Sequence, residues 1–184
     1  MKPINIIILI ICIVIVLTFL CIILFKYYNE KILIILKKLE QSEIEYKEKY
    51  NNKYNILNKL IDLIESKYKT HSKVFDEIKE INMEELHLID NDNLLNKCFK
   101  EILEIRDDNK KGREVKSFKE LIDEFNENEL HIVSLRTFYN KYTLEYNNII
   151  KKIPYNIVSM FKKYKVKSLL DGMEIETNSD QKEV

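Results

Sequence analysis

Glycine and proline are scarce in this chain of 184 residues, which contains only two of each. Folds rich in strands need many turns, and turns draw heavily on these two residue types. The composition therefore disfavours sheets and favours a few long helices. Gly112 and Gly172 also lie too far apart in the sequence to form a glycine-rich loop that binds phosphate.

The chain carries no excess of charge and few cysteines. Thirty basic and thirty acidic residues give a formal net charge of zero, so no overall positive field predicts binding to nucleic acid. Cys12, Cys21 and Cys98 lie far apart, and their spacing predicts neither a metal site nor a disulfide framework. We interpret all three as small apolar side chains.

No grouping of titratable residues in the sequence predicts a reaction centre. Glu84 and His87 have the i, i+3 spacing of di-iron bundles, but Glu127 and His131 are four residues apart. Such a site needs two matching pairs. Ser and Thr residues also lack the histidine patterns that accompany a nucleophile. We therefore expect no catalytic activity, no metal and no cofactor, and we keep an enzyme with an unfamiliar site as an alternative.

Residues 4–25 form an apolar run of 22 residues without a single charge. A helix of about 20 apolar residues crosses the hydrocarbon core of a bilayer. A cleaved signal peptide has a shorter apolar core and small residues before its cleavage site, yet residues 1–25 contain no Ala, Gly or Ser. We predict that residues 1–26 are a retained transmembrane anchor.

Basic residues are unevenly distributed around this run. Lys2 precedes it, whereas Lys26, Lys31, Lys37 and Lys38 follow it. Lysines near the ends of a membrane span favour the cytoplasmic side. The distribution predicts a single-pass protein with its short N-terminus outside and the bulk of the chain in the cytoplasm.

Residues 27–82 continue a helical pattern of apolar residues without Gly or Pro. The pattern predicts either one very long helix or two helices broken near residues 50–55, where three asparagines lower the helix propensity and the apolar spacing contains a stutter.

The cluster of Asp and Asn at residues 90–93 predicts a loop or a helix start, with Asn93 as the N-cap of a short helix over residues 94–106. Asp90 and Asp92 resemble the beginning of a calcium loop, but Leu94 occupies the next ligand position. We interpret the cluster as an ordinary loop.

Residues 118–153 carry the strongest pattern in the sequence. Large apolar residues recur at alternating steps of three and four, with only Asn128 polar among them: Phe118, Leu121, Phe125, Ile132, Leu135, Tyr139, Tyr142, Tyr146, Ile149 and Ile153. This spacing predicts a long helix that packs lengthwise against other helices in a coiled-coil manner. Such a helix is unstable alone in water, so partner helices must cover its apolar face.

A basic segment follows this helix at residues 151–170, which contain six lysines and no acidic residue: Lys151, Lys152, Lys162, Lys163, Lys165 and Lys167. Apolar residues lie among them, as in a segment that binds anionic lipid. The alternative, which we favour, is a cap that folds back onto the bundle with lysines near a helix C-terminus.

Two Tyr-Asn pairs stand seven residues apart near the end of the long helix, and a Pro-x-Asn segment follows them. The residues are Tyr139, Asn140, Tyr146, Asn147, Pro154 and Asn156. Together they resemble the C-terminal signature of the LemA family. Matching positions occur upstream as well, at Glu129, Ile132 and Arg136, at Lys53-Tyr54-Asn55-Ile56, and at Tyr28-Asn29 directly after the apolar run.

The resemblance implies a membrane-anchored helical bundle whose N-terminus is outside and whose molecular function is poorly defined. The spacing of seven places Tyr139 and Tyr146 on one helix face and Asn140 and Asn147 on a neighbouring face. We expect the tyrosines to fix the register of the bundle and the asparagines to pair with a partner helix.

The sequence thus predicts an all-α fold, in which an N-terminal transmembrane helix precedes an antiparallel bundle of three or four long helices. The predicted parts are the anchor at 1–26, the bundle at 27–170 and a disordered tail at 171–184. We expect a membrane-tethered scaffold or interaction module that binds a protein partner or itself. A membrane-surface sensor or adaptor for a signalling partner is the other alternative.

Overall fold

The computed structural model describes residues 3–82, 84, 89–109 and 116–170 of the chain. They form five helices, which are α1 (Pro3–Tyr68), α2 (Lys73–Lys79), α3 (Ile89–Asp108), α4 (Lys116–Ile149) and α5 (Tyr155–Lys162). No strand occurs within these ranges. The predicted all-α fold is confirmed, and α1, α3 and α4 are its three long helices.

The chain divides into two compact units. The first unit combines Met1–Glu40 with Asn140–Val184, and the second unit is Gln41–Tyr139. These limits differ from the predicted anchor, bundle and tail, because α1 and α4 each contribute residues to both units. The predicted tail at 171–184 lies outside the described residues.

Helix α1 continues through the region in which a break was one of two expectations. Tyr50 and Lys53 are fully buried, and the side chains that follow at Ile56 and Leu57 are fully buried as well. Burial of this face offsets the low helix propensity of the asparagines, since tertiary packing overrides propensity. The helix ends instead at Tyr68, and Lys69 then adopts a left-handed backbone conformation with φ of 52°.

The long helices of the second unit do not all run in the same direction. Tyr50 of α1 contacts Arg136 of α4, and three residues later Lys53 contacts Glu129, so α4 runs antiparallel to α1. Asp92 and Phe99 of α3 meet Arg136 and Phe125 in the same reversed order. Helix α4 is therefore antiparallel to both neighbours, and α1 and α3 run parallel to each other.

The predicted apolar face of α4 is buried at every seventh residue. The buried positions are Phe118, Phe125, Ile132, Tyr139 and Tyr146, and the polar Asn128 is buried between them. The helix ends at Ile149, four residues before the predicted end, and Ile153 is 80% exposed in the following turn. Pro154 occupies the N-cap position of α5, where its missing N–H is not needed by the helix.

Helix α3 begins earlier than predicted. It starts at Ile89, so residues 90–93 lie inside the helix and Asn93 is not its N-cap. Of the two expectations for this cluster, the helix start is confirmed and the loop is wrong, and the start lies four residues before the predicted Asn93. Asp92 and Asn96 lie one helical turn apart, and both contact Lys53 of α1. These polar residues therefore lie on a packed face of α3.

The apolar run at the start of α1 is exposed along its length. Among the described side chains, those of residues 4–24 are all exposed, and this is the one helix long and apolar enough to cross a bilayer. The run is thus a candidate membrane span.

Candidate functional site

A lysine buried between three helices forms the centre of the second unit. The side chain of Lys53 is fully buried, and its Nζ lies 2.7 Å from Asp92 Oδ1 and 2.8 Å from Asn96 Oδ1 on α3. Glu129 Oε2 on α4 is also 2.7 Å away, a distance typical of an ion pair, although its angle does not suit a hydrogen bond. Three oxygen atoms from two helices therefore surround the ammonium group.

Aromatic rings and a second cation complete this group, which we call the Lys53 cluster (Tyr46, Tyr50, Lys53, Asp92, Asn96, Phe125, Glu129 and Arg136). Lys53 Nζ lies 5.6 Å from the ring centroids of both Tyr50 and Phe125. Arg136 donates a hydrogen bond of 2.9 Å to the Tyr50 hydroxyl and lies 3.5 Å from Asp92 Oδ2. Two cations and two carboxylates thus balance each other.

Tyr50 and Arg136 contact each other, and burial acts on their pKa values in opposite directions. Burial raises the pKa of Tyr50 far above its ordinary value, and the hydrogen bond with Tyr46 acts in the same direction. Burial alone would lower the pKa of Arg136, but the hydrogen bond and charge interaction with Tyr46, followed by those with Tyr50, outweigh that effect and raise the pKa. Tyr50 therefore remains a neutral phenol beside a charged guanidinium.

The sequence contained a signal for this cluster that the periodicity argument missed. Lys53 stands at a position where the three-and-four spacing from Tyr50 to Leu57 requires an apolar residue. A charged residue at such a position indicates a buried ion pair. Its partners were not predictable from spacing, since Asp92 and Glu129 lie on other helices.

Asn128, the polar residue in the apolar face of α4, belongs to a second polar contact in the same unit. Its Nδ2 donates a 2.8 Å hydrogen bond to the Lys49 carbonyl, and its Oδ1 accepts a 3.2 Å hydrogen bond from Asn52. Both ends of the buried amide are therefore satisfied, and only one register of α1 against α4 allows this.

In the first unit, asparagines of the Tyr-Asn pairs hold the segment that follows α5. Asn147 Nδ2 donates to the Lys167 carbonyl at 2.8 Å, and the Lys167 N–H donates to Asn147 Oδ1 at 2.9 Å. Asn140 Oδ1 accepts the N–H of Leu170 at 3.0 Å. Asn29 Oδ1 accepts the hydroxyl of Tyr164 at 2.9 Å. We call this set of contacts the asparagine clamp.

Asn147 binds the backbone of a non-helical segment through both ends of its amide, which corrects the expectation that it pairs with a partner helix. Asn140 binds the same segment through its Oδ1. Seven residues of helix rise by about 10.5 Å, and three residues of extended chain cover about 10 Å. The spacing of seven therefore matches the step from Lys167 to Leu170, which explains why the two asparagines recur at that interval.

The remaining residues of the signature surround the clamp or lie in the other unit. Tyr146 is buried and donates a 3.0 Å hydrogen bond to the Lys165 carbonyl, whereas Tyr139 is buried in the second unit. Asn156 lies in the first turn of α5, and its backbone N–H donates to the Lys152 carbonyl. Burial raises the pKa of the Tyr146 phenol, which therefore stays protonated as a donor.

The basic segment at residues 151–170 is bound to α4 near its end, and most of its other side chains are exposed to solvent. Among its six lysines, Lys167 is half-buried and bound through its backbone, and the other five side chains are exposed. Helix α5 also exposes apolar side chains, with Met160 71% and Phe161 67% accessible. The segment thus folds back onto α4 at residues 165–170 and keeps an open amphipathic surface at α5.

Replacing Asn147 with Ala is expected to release the clamped segment. The Lys167 N–H would lose its acceptor, so its amide hydrogen should exchange with solvent faster, by at least tenfold for a lost hydrogen bond of about 1.4 kcal/mol. Hydrogen exchange followed by mass spectrometry of the 164–170 peptide measures this change. Asn148→Ala is the matched control, because Asn148 is exposed on the same helix. Equal exchange in both variants would contradict the clamp.

His71 connects the end of α1 to α2 in a manner that depends on pH. Its Nδ1 lies 2.8 Å from Glu65 Oε1 and its Nε2 lies 2.9 Å from Asp76 Oδ2. Only the protonated imidazole donates from both nitrogens. Hydrogen bonds to Glu65 and then to Asp76 raise the pKa of His71, while His71 and Lys79 lower the pKa of Glu65.

We expect the connection between α1 and α2 to loosen as the pH rises. The folded-state pKa of His71 is raised, so its contribution is complete below the unfolded value of about 6.5 and is lost as the pH passes the folded-state pKa. An NMR titration of His71 and hydrogen exchange of residues 69–79 measure this. His71→Asn should abolish the pH dependence, and His131→Gln should preserve it. A folded-state pKa below 6.5 would refute the prediction.

Of the pairs Glu84/His87 and Glu127/His131, the structure describes both members only of the second. His131 Nε2 lies 4.0 Å from Glu127 at the surface, and His87 lies outside the described residues. No group of three potential metal ligands occurs in the part of the chain that the structure describes.

Comparison with known proteins agrees with the signature around the clamp. The sequence model of the LemA family matches residues 40–183. This range contains the Lys53 cluster and also the residues of the clamp that lie on α4 and after α5. A search of curated proteins finds no match.

Proposed function

The chain belongs to the LemA family, and from this premise we propose that it is a membrane-tethered helical scaffold or interaction module that has no catalytic activity. Residues 4–25 would anchor it, and the surfaces of its helices would bind a protein partner or a second copy of the chain.

The enclosure of Lys53 is the observation that carries this proposal. The Nζ of Lys53 donates hydrogen bonds to Asp92 and Asn96 and forms an ion pair with Glu129 at 2.7 Å. The ring centroids of Tyr50 and Phe125 both lie 5.6 Å from the same Nζ. A lysine that attacks a substrate or transfers a proton needs free access to the reacting atom. Lys53 is arranged to join α1, α3 and α4.

Buried charged residues that face a pocket would favour the alternative of an enzyme with an unfamiliar site. The cluster does collect Lys53, Asp92, Glu129 and Arg136. Its charges, however, neutralise each other in direct contacts, and the side chain of Asp92 is only 15% exposed. A structural role as the joint of three helices accounts for these contacts without a substrate.

Exposed apolar residues on α4 offer a surface for a protein partner. Leu130 is 73% exposed and Val133, one turn later, is 49% exposed, on a different face from the buried Ile132. Residues three apart lie side by side on a helix. Burial of both side chains by a partner would be favourable, since each buried CH₂ group contributes about 0.8 kcal/mol.

Photo-crosslinking in living cells tests the proposal. A photoreactive phenylalanine analogue at position 130 is expected to give a discrete crosslinked product in the membrane fraction. The same analogue at Glu124, which is exposed on α4, should give none. Products at both positions, or at neither, would contradict a specific surface at Leu130. A product that forms in only one growth condition would favour the sensor or adaptor alternative.

A further inference from the structure

A groove of about 630 Å³ lies in the first unit, between the end of the apolar run of α1 and helix α5. Cys21, Ile22 and Phe25 form its α1 wall, and Phe161 contacts Phe25 edge to face with ring centroids 6.1 Å apart. Its volume is within the range of pockets that hold small molecules. Apolar side chains form most of the wall of the groove, so a hydrocarbon chain can pack against it.

The polar rim of the groove is basic. Lys26 of α1 and Lys162 of α5 both line it, and Asn29 lies beside them. None of the described lining side chains is acidic. Asn29 accepts the Tyr164 hydroxyl through its Oδ1, so its amide N–H groups are the part that can donate to a ligand. Two cations and an amide donor match an anionic group with several oxygen atoms.

The groove lies at the level where the two parts of a phospholipid meet. Residues 4–25 rise by about 33 Å as a helix, and the hydrocarbon core of a bilayer is about 30 Å thick. The wall at residues 21–25 therefore belongs to the acyl region, and Lys26 and Asn29 belong to the headgroup region. A lipid can place its chain and its phosphate in the groove without leaving the bilayer.

Helix α5 has the side chains of a helix that lies at this interface. Ile157, Met160 and Phe161 are exposed by 49%, 71% and 67%, and Lys162 and Lys163 are exposed next to them. Apolar residues on one side and lysines on the other are typical of interfacial helices. The edge contact of Tyr28 with Tyr155, at 4.9 Å between ring centroids, fixes the start of α5 against α1.

We propose that this groove binds one anionic phospholipid. The phosphate lies between Lys26 and Lys162, and one acyl chain lies along Cys21, Ile22 and Phe25. The lipid thereby joins α5 to the membrane end of α1. This inference requires that residues 4–25 span the bilayer, but it is independent of whether the helix surfaces bind a protein, so the crosslinking experiment and the lipid experiment fail separately.

Native mass spectrometry of the full chain, purified in detergent and mixed with phosphatidylglycerol or phosphatidylcholine, tests the proposal. The wild-type chain should retain one phosphatidylglycerol and should prefer it to phosphatidylcholine. The double variant Lys26→Gln/Lys162→Gln should bind phosphatidylglycerol about twenty-fivefold more weakly, since each lysine near an anionic headgroup contributes about fivefold. Both lysines are exposed, and circular dichroism verifies that the variant keeps its helices.

The matched control is Lys37→Gln/Lys151→Gln, which also removes one lysine from α1 and one from the basic segment, both exposed and outside the groove. Unchanged phosphatidylglycerol binding in the control, with loss in the groove variant, supports the site. Equal loss in both variants would show unspecific attraction and overturn the proposal. Equal retention of the two lipids by the wild-type chain would overturn it as well.

Discussion

Replacing Lys53 with Met is expected to lower the free energy of unfolding by about 3 kcal/mol, the lower end of the range for breaking a buried ion pair. Methionine keeps the length and apolar stem of the side chain but removes the charge. Asp92 and Glu129, with side chains 15% and 30% exposed, would then face each other without their shared cation. Their partial exposure to water keeps the loss near the lower end of the range.

Denaturant unfolding of the full chain in detergent measures this effect. Lys47→Met is the control, because Lys47 lies on the same helix, is 49% exposed and pairs with Glu43 at 3.1 Å. Its loss should stay below about 1 kcal/mol, as for other surface ion pairs. The double variant Lys53→Met/Glu129→Leu should recover much of the loss, since it leaves Asp92 paired with Arg136 and apolar packing can replace a buried ion pair. Equal stability of Lys53→Met and Lys47→Met would refute the structural role.

Replacing Tyr146 with Ala is expected to cost about 3–5 kcal/mol, as for other large aromatic residues in cores. Tyr146 is 2% exposed, and its ring packs where α4 meets the clamped segment. Alanine would leave a cavity that the surrounding helices can fill only in part. The 164–170 segment should also become more accessible to protease.

Tyr146→Phe separates the two contributions of this side chain. Phenylalanine keeps the ring and loses only the hydrogen bond to the Lys165 carbonyl, so the expected loss is about 1 kcal/mol. Thermal unfolding of both variants in the same detergent provides the comparison. Equal melting temperatures for the wild type and Tyr146→Ala would contradict this packing.

The buried face of α4 was predictable from the sequence, because it follows from the regular spacing of apolar residues. Phe118, Phe125, Ile132, Tyr139 and Tyr146 recur at intervals of seven, and all five are buried. A helical face is set by local spacing, so no knowledge of the partner is needed to find it. The helix at residues 4–25 was predictable for another reason, namely the length of its uncharged apolar run.

Helix ends were less predictable, because contacts from distant residues decide them. The Asp and Asn residues at 90–93 have the composition of a loop, yet Asp92 and Asn96 both contact Lys53. This contact joins residues 39 and 43 positions apart, and it compensates for poor helix formers inside α3. Local propensity could not indicate it.

The backbone contacts of Asn140 and Asn147 could not be predicted from the sequence, for a different reason. Asn140 and Asn147 bind backbone groups of Leu170 and Lys167, and a backbone group has no side-chain signature in the sequence. The spacing of seven predicted only that both lie on one face. A partner helix was the natural expectation, but a segment of extended chain satisfies the same interval.

The Lys53 cluster and the asparagine clamp are both built from polar contacts between residues that lie far apart in the sequence. The cluster joins α1, α3 and α4 in the second unit, and the clamp attaches the segment after α5 in the first unit. Buried polar contacts allow fewer alternative packings than apolar contacts do. The proposed role as a scaffold requires such fixed positions.

Cysteine accessibility in intact cells tests the membrane tether most directly. Burial raises the pKa of the Cys98 thiol to about 12, and Cys98→Ser removes any remaining reaction there. Ser117, exposed on α4, then receives a cysteine as the reporter. A membrane-impermeant maleimide should label Ser117→Cys only after permeabilisation, and it should never label Cys12 or Cys21 while the bilayer is intact. Labelling of Cys12 in intact membranes would contradict the tether, and labelling of Ser117→Cys in unpermeabilised cells would reverse the predicted orientation.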